Sequence, residues 1–124
     1  MKTVISTENA PAAIGPYSQG IQAGSLIITS GQLPIDPATG AFPATIEEQT
    51  RQSLTNVTHV LAEAGIDLSH VVKTTVFLSD MANFAAMNEV YATFFSEPYP
   101  ARSAVAVKTL PKNALVEVEV VAAL

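Results

Sequence analysis

The segment Leu115–Ala122 alternates so strictly that it admits one local structure. Val116, Val118, Val120 and Ala122 share one side, and Glu117 and Glu119 share the other with Leu115 and Val121, the two-residue period of a strand. A second strand candidate lies upstream, where Pro98-Tyr99-Pro100-Ala101-Arg102-Ser103 leads into a short apolar run, and Leu110-Pro111-Lys112-Asn113 supplies a turn between them. The reading is strand, turn, strand. In the upstream strand Val105 and Val107 fall on one face and Arg102, Ala104, Ala106 and Lys108 on the other. If both valine faces share one core, Arg102, Glu117 and Glu119 emerge together on the opposite side of the sheet.

Arg102 is one of two arginines. Pro98 and Pro100 stiffen its approach, and Ala101, Ser103 and Ala104 leave room beside it. A guanidinium so placed suits a planar carboxylate, gripped by two parallel hydrogen bonds. The structural alternative is an ion pair with Glu117 or Glu119, or a solvated sheet face, and such pairs are commoner than sites.

The rest of the chain supplies the frame. Residues 4–16 mix a short strand candidate with a segment rich in proline and glycine that forbids a helix. Tyr17–Ala23 and Leu26–Ser30, separated by Gly24-Ser25, read as a hairpin, and Asp36-Pro37-Ala38-Thr39-Gly40 as a turn. From Thr45 to Ala64 the period becomes helical: Thr45 and Glu48 fit a capping box, Ile46, Leu54, Val57, Leu61 and Ala64 line one face, and Gly65 follows the last turn. Val71–Leu78 reads as an interior strand. Asp80 then caps a second helix reaching about Phe95, with Phe84, Met87, Tyr91 and Phe94 on its buried stripe. Asn88 interrupts that stripe and is either a tie to backbone or a group facing a ligand.

The order is strand, hairpin, helix, strand, helix, hairpin, which predicts one α+β domain over 1–124: a mixed sheet with both helices on one face. The other face has no cover within the chain. With 48% hydrophobic and 14% charged residues, the surplus apolar surface is expected to meet neighbouring subunits, which would place the charged groups at subunit boundaries. The net charge of −5 and six scattered basic residues offer no stripe for a phosphate backbone. No cysteine is present, so thiolate chemistry is out of reach. No apolar run reaches signal-peptide or membrane-span length, and a soluble cytoplasmic protein is expected.

Other motifs fail on inspection. Gly15-Pro16-Tyr17-Ser18-Gln19-Gly20 lacks the Lys and Ser/Thr of a phosphate loop. His59 and His70 lack metal-pair spacing and read as surface histidines. There is no Gly-x-Ser-x-Gly elbow, and Glu117 and Glu119, neighbours on one strand, cannot oppose each other across a substrate.

Taken together, Asn9-Ala10-Pro11-Ala12-Ala13-Ile14-Gly15-Pro16-Tyr17-Ser18-Gln19, Ser30-Gly31-Gln32-Leu33-Pro34, Met87-Asn88-Glu89-Val90-Tyr91, Pro100-Ala101-Arg102-Ser103 and Leu110-Pro111 stand in an order and spacing that resemble the RidA/YjgF family of reactive intermediate deaminases. The resemblance runs nearly end to end. It implies a chorismate-mutase-like fold, a homotrimer with clefts between subunits, and cofactor-free hydrolysis of 2-imino acids such as 2-iminobutanoate and 2-iminopropanoate to 2-oxo acids and ammonia. These species are released by pyridoxal-phosphate enzymes acting on threonine or serine, which the deaminase would protect.

By position, the resemblance implies that Arg102 holds the substrate carboxylate and that Glu117 positions and polarises the attacking water. Tyr17, Ser30, Gly31 and Asn88 would line the cleft, and backbone groups of Ser103 and Ala104 would contact the imine. No metal or cofactor is implied. Many relatives carry Cys where this chain has Ala104, so thiol regulation does not transfer. The rival readings are a non-catalytic binding protein for carboxylate metabolites and a ribonuclease or translation inhibitor, the latter disfavoured by the acidic balance.

Overall fold

The computed structural model describes all 124 residues. Its strands are β1 (Lys2–Ile5), β2 (Gly20–Ala23), β3 (Leu26–Thr29), β4 (Val71–Leu78), β5 (Ala101–Ala106) and β6 (Val116–Ala123), and its helices are α1 (Ile46–Glu63) and α2 (Phe84–Phe94). The strands form one mixed sheet in the order β1-β2-β3-β6-β4-β5, and α1 and α2 pack against one side of it.

Local chemistry sets most element boundaries. Thr45 accepts from the Glu48 amide at 3.2 Å and starts α1; Gly65, at φ 82°, follows its end. Gly24, at φ 61°, turns β2 into β3 as expected. Asp80 caps a short 3₁₀ turn, Met81–Asn83, which runs into α2. Gly20 is glycine for a packing reason, because a Cβ there would lie 3.0 Å from a methyl of Val60 in α1.

The expected C-terminal hairpin does not form. β4 lies between β5 and β6, parallel to the first and antiparallel to the second. β4, α2 and β5 make a parallel crossover unit, after which the chain passes over the end of β4. Val107 donates to Leu78 O at 2.8 Å there, and Ser79 donates to Leu115 O at 3.1 Å. The turn at Pro111–Asn113 places Lys112 and Asn113 in the left-handed region, at φ 56° and 58°.

This topology also reverses the expected face of Arg102. Thr74 lies between Val120 and Arg102, and Val76 between Val118 and Ala104, so Arg102 shares the side of the sheet that meets the helices. Thr75 lies between Glu119 and Ser103, and Phe77 between Glu117 and Val105. Arg102 and the two glutamates therefore stand on opposite faces. Alternation along β5 could not decide the matter, because its alanine side and its valine side are both apolar. Val105, expected in the core, is 46% exposed.

The core between sheet and helices is built on Leu54, Val57, Val60 and Leu61 of α1, Met87 and Tyr91 of α2, and the valines of β6. Buried amides fasten the long connections to it. Asn56 donates to Leu33 O and Ile35 O at 3.0 and 2.9 Å, and Gln19 donates to Pro11 O at 2.8 Å while accepting from Thr7 N at 2.7 Å. The histidines are less free than expected: each ring is half-buried, with Nδ1 of His59 2.7 Å from Asn9 O and that of His70 3.0 Å from Ala123 O. The second sheet face carries exposed Val4, Leu26, Ile28 and Val105, and nothing in the chain covers it. No helix is long and apolar enough to cross a membrane.

Candidate active site

The residues singled out from the sequence fall into two groups. The first is built on β5 and α2. Arg102 leaves the edge strand toward α2, where its Nη1 donates to Asn88 Oδ1 at 2.6 Å. Its Cζ lies 4.7 Å from the centre of the Tyr91 ring and 5.4 Å from that of Phe84, within the range of cation–π attraction. Tyr91 is anchored in turn, its hydroxyl 2.7 Å from Thr74 Oγ1 and its ring 4.6 Å from that of Phe95.

Asn88 is thus not a tie to backbone; its Oδ1 accepts from Arg102, and it lines the cavity beside the guanidinium, where a ligand would lie. The ion pair considered for Arg102 is absent, since the one salt bridge within the chain joins Arg51 to Glu48 at 3.8 Å. A cavity of about 460 Å³ opens beside the guanidinium, lined by Asn88, Tyr91, Ala92, Tyr99, Pro100 and Arg102. β5 ends the sheet on this side, so the outward backbone groups around Ser103 and Ala104 have no neighbouring strand.

The second group gathers on the other face. Glu117 is half-buried and packs against Gly31, where a Cβ would lie 2.7 Å from Glu117 Oε2. Glycine at 31 is what admits the carboxylate. Burial raises the Glu117 pKa above its ordinary value, and the charge of Glu119 raises it further. Gly31 also borders a cavity of about 300 Å³ with Tyr17, Gln32, Leu33, Ile35 and Lys112. Tyr17 is exposed, its hydroxyl 3.4 Å from the Ile14 amide; the Ser30 hydroxyl donates to Ser18 O at 2.6 Å.

A guanidinium with no carboxylate partner and a carboxyl of raised pKa are both present, but on opposite faces of one sheet. Tyr91, Phe84 and Thr74 were not singled out as site residues. The signal was available for Tyr91, three residues after Asn88 on the same helix face and carrying a phenol that needs a partner when buried.

Residues 7–124 match the family model described as Endoribonuclease L-PSP. The chain belongs to the RidA/YjgF family. Among RidA relatives, it is 50% identical to the 2-iminobutanoate/2-iminopropanoate deaminase of Escherichia coli K12, with 98% of each chain covered. The crystal structure of the E. coli YjgF gene product superimposes with a TM-score of 0.94 at 50% identity, covering 98% of both chains. That of E. coli TdcF with bound serine also gives 0.94, at 46% identity and the same coverage. The RidA fold seen in these structures is the fold described here.

Proposed function

We propose that this RidA protein hydrolyses 2-imino acids, 2-iminobutanoate and 2-iminopropanoate among them, to 2-oxo acids and ammonia in clefts formed between copies of a homotrimer. The observation that carries the reading is Arg102. Its guanidinium is held by a neutral amide and two aromatic rings, has no carboxylate of its own, and borders a cavity. An arginine so arranged is prepared for a carboxylate from outside. The relative named as a deaminase supports the same substrate class, and a relative with bound serine supports a small amino-acid-like ligand.

The chemistry asks little of the protein beyond placement. A protonated imine is already electrophilic, so no cofactor is required once Arg102 has fixed the carboxylate and water is delivered to the imine carbon. Glu117 would take a proton from that water as the C–O bond forms, giving a carbinolamine. Returning the proton to nitrogen makes ammonia a leaving group; as the C–N bond breaks, the carbinolamine hydroxyl would give its proton to Glu117 and its O–H electron pair to the forming carbonyl. A pKa raised by burial suits a group that must both accept and return a proton.

Because Glu117 and Arg102 face opposite ways in one chain, the complete site would join the Arg102 edge of one copy to the Glu117, Gly31, Ser30 and Tyr17 surface of another. The uncovered apolar face gives those copies a reason to associate. A cytoplasmic setting, beside the pyridoxal-phosphate dehydratases that release such imines from threonine and serine, completes the proposal.

The test generates 2-iminobutanoate from threonine with a dehydratase and follows its capture by semicarbazide. The protein should outcompete the trap, and Arg102→Ala should not. Unchanged trapping with imines from both threonine and serine would leave the carboxylate-binding reading in place of the enzyme. Cleavage of RNA in moderate salt, lost on Lys108→Ala or Lys112→Ala, would instead favour the activity in the family description.

A further inference from the structure

We propose that Tyr91 is a positioning residue for Arg102, locked in place by the buried hydroxyl of Thr74; the inference rests on the deaminase reading and deepens it. The contacts close a loop. Thr74 is the β4 register partner of Arg102, so its backbone fixes the root of the arginine. Its hydroxyl, 2.7 Å from the Tyr91 hydroxyl, fixes the ring that lies under the arginine's head, 4.7 Å from Cζ. One residue therefore holds both ends of the side chain.

Three features set this arrangement apart from ordinary core packing. Thr74 is fully buried and Tyr91 is 6% exposed, so the hydroxyl pair is shielded from water, where such a bond is firm and a lone partner is costly. Asn88 lies one helical turn from Tyr91, so a single face of α2 supplies both the acceptor for Nη1 and the ring beneath the guanidinium. Phe95, packed on Tyr91 at an interplanar angle of 31°, limits the remaining tilt.

A long, flexible side chain at the edge of the sheet is in this way held in one plane before any ligand arrives. That lowers the ordering cost of binding a carboxylate, which is expressed in ground-state and transition-state affinity alike. Such uniform binding predicts an effect on KM with little effect on kcat.

The test uses the full chain with Thr74→Val, Thr74→Ser and Tyr91→Phe, and three readouts. These are KM and kcat in the semicarbazide competition, the affinity for the product 2-oxobutanoate by NMR titration, and the position of the Arg102 Nε–H resonance. A ring-current displacement of that resonance is expected in the wild type. Thr74→Val and Tyr91→Phe should raise KM and the product Kd about three- to tenfold, with kcat falling less than about twofold, and should reduce the displacement. Thr74→Ser, which keeps the hydroxyl, should restore all three. Unchanged KM and Kd in Thr74→Val with only a lower Tm would overturn the proposal, and so would an undisplaced Arg102 resonance in the wild type. Failure of the wild type to consume imines would count against the deaminase reading alone, because product affinity and the Arg102 resonance judge the clamp without turnover.

Discussion

The surroundings of Arg102 and those of Glu117 differ in how much of the work one chain completes. Arg102 has an acceptor on Nη1, two aromatic rings beside its head and a cavity in front of it. Glu117 has a glycine that makes room for it and no hydrogen-bond partner, and it lies on the sheet face that stays uncovered. A group that must grip a fixed shape gains from preorganisation within its own chain. A carboxyl whose task is to accept and return a proton gains from burial, and in the proposed shared site a second copy would add to the burial that already raises the Glu117 pKa. Under the proposed function, the Arg102 half-site is prepared within one chain and the Glu117 half-site is completed by a second copy.

Four substitutions test this contrast. Arg102→Ala should have the largest effect: losing two charge-assisted hydrogen bonds to a carboxylate costs about 3–6 kcal/mol, which is two or more orders of magnitude in kcat/KM. A small loss in the trapping assay would show that the grip lies elsewhere. Gly31→Ala places a methyl against the Glu117 carboxylate. Since the end of that side chain can swing aside, kcat should fall about ten- to a hundredfold with little change in Tm by calorimetry.

Asn88→Asp exchanges the neutral partner of Arg102 for an anion, which should occupy the guanidinium and weaken substrate binding about tenfold, read as KM. If KM is unaffected, Asn88 does not aim the arginine at the ligand.

The smallest effect concerns stability. A carboxyl whose folded pKa is raised makes the folded chain hold its proton where the unfolded chain has already lost it. Its contribution is therefore intact below the unfolded value and lost as pH rises through the folded one. Glu117→Gln, which does not titrate, should gain Tm relative to wild type as pH rises from the ordinary carboxyl value toward neutrality. A difference that shrinks over that range would contradict the direction.

Local signals in the sequence carried most of the fold. Thr45 with Glu48, Gly24 between two apolar runs, and the valines of β6 each act over a few residues, and each defines the element expected of it. The insertion of β4 between β5 and β6 was not legible, because pairing of sequence neighbours is the default and nothing in residues 107–115 marks a crossing. That one topological choice decided which way Arg102 points.

The site was legible in parts for the same reason. Arg102, Asn88 and the Glu117 and Glu119 pair stood out by residue type, while Gly31 entered only through the family resemblance; in the structure Arg102 meets Asn88 and Glu117 meets Gly31. That the two pairs occupy opposite faces depends on strand order and register, which composition and spacing do not encode. Tyr91 was visible as a core aromatic. Its role beneath Arg102 needed β5 in place.

The most direct test of a site shared between copies mixes two inactive proteins. Arg102→Ala and Glu117→Ala chains are unfolded together in equal amounts, refolded, and measured for imine consumption against each parent refolded alone. If Arg102 of one copy works with Glu117 of another, random assembly leaves about a quarter of the clefts with both residues intact, and activity should return to about that fraction of wild type. If mixing restores nothing beyond the parents although mixed oligomers form, Arg102 and Glu117 do not act together across a subunit boundary, and the account is wrong.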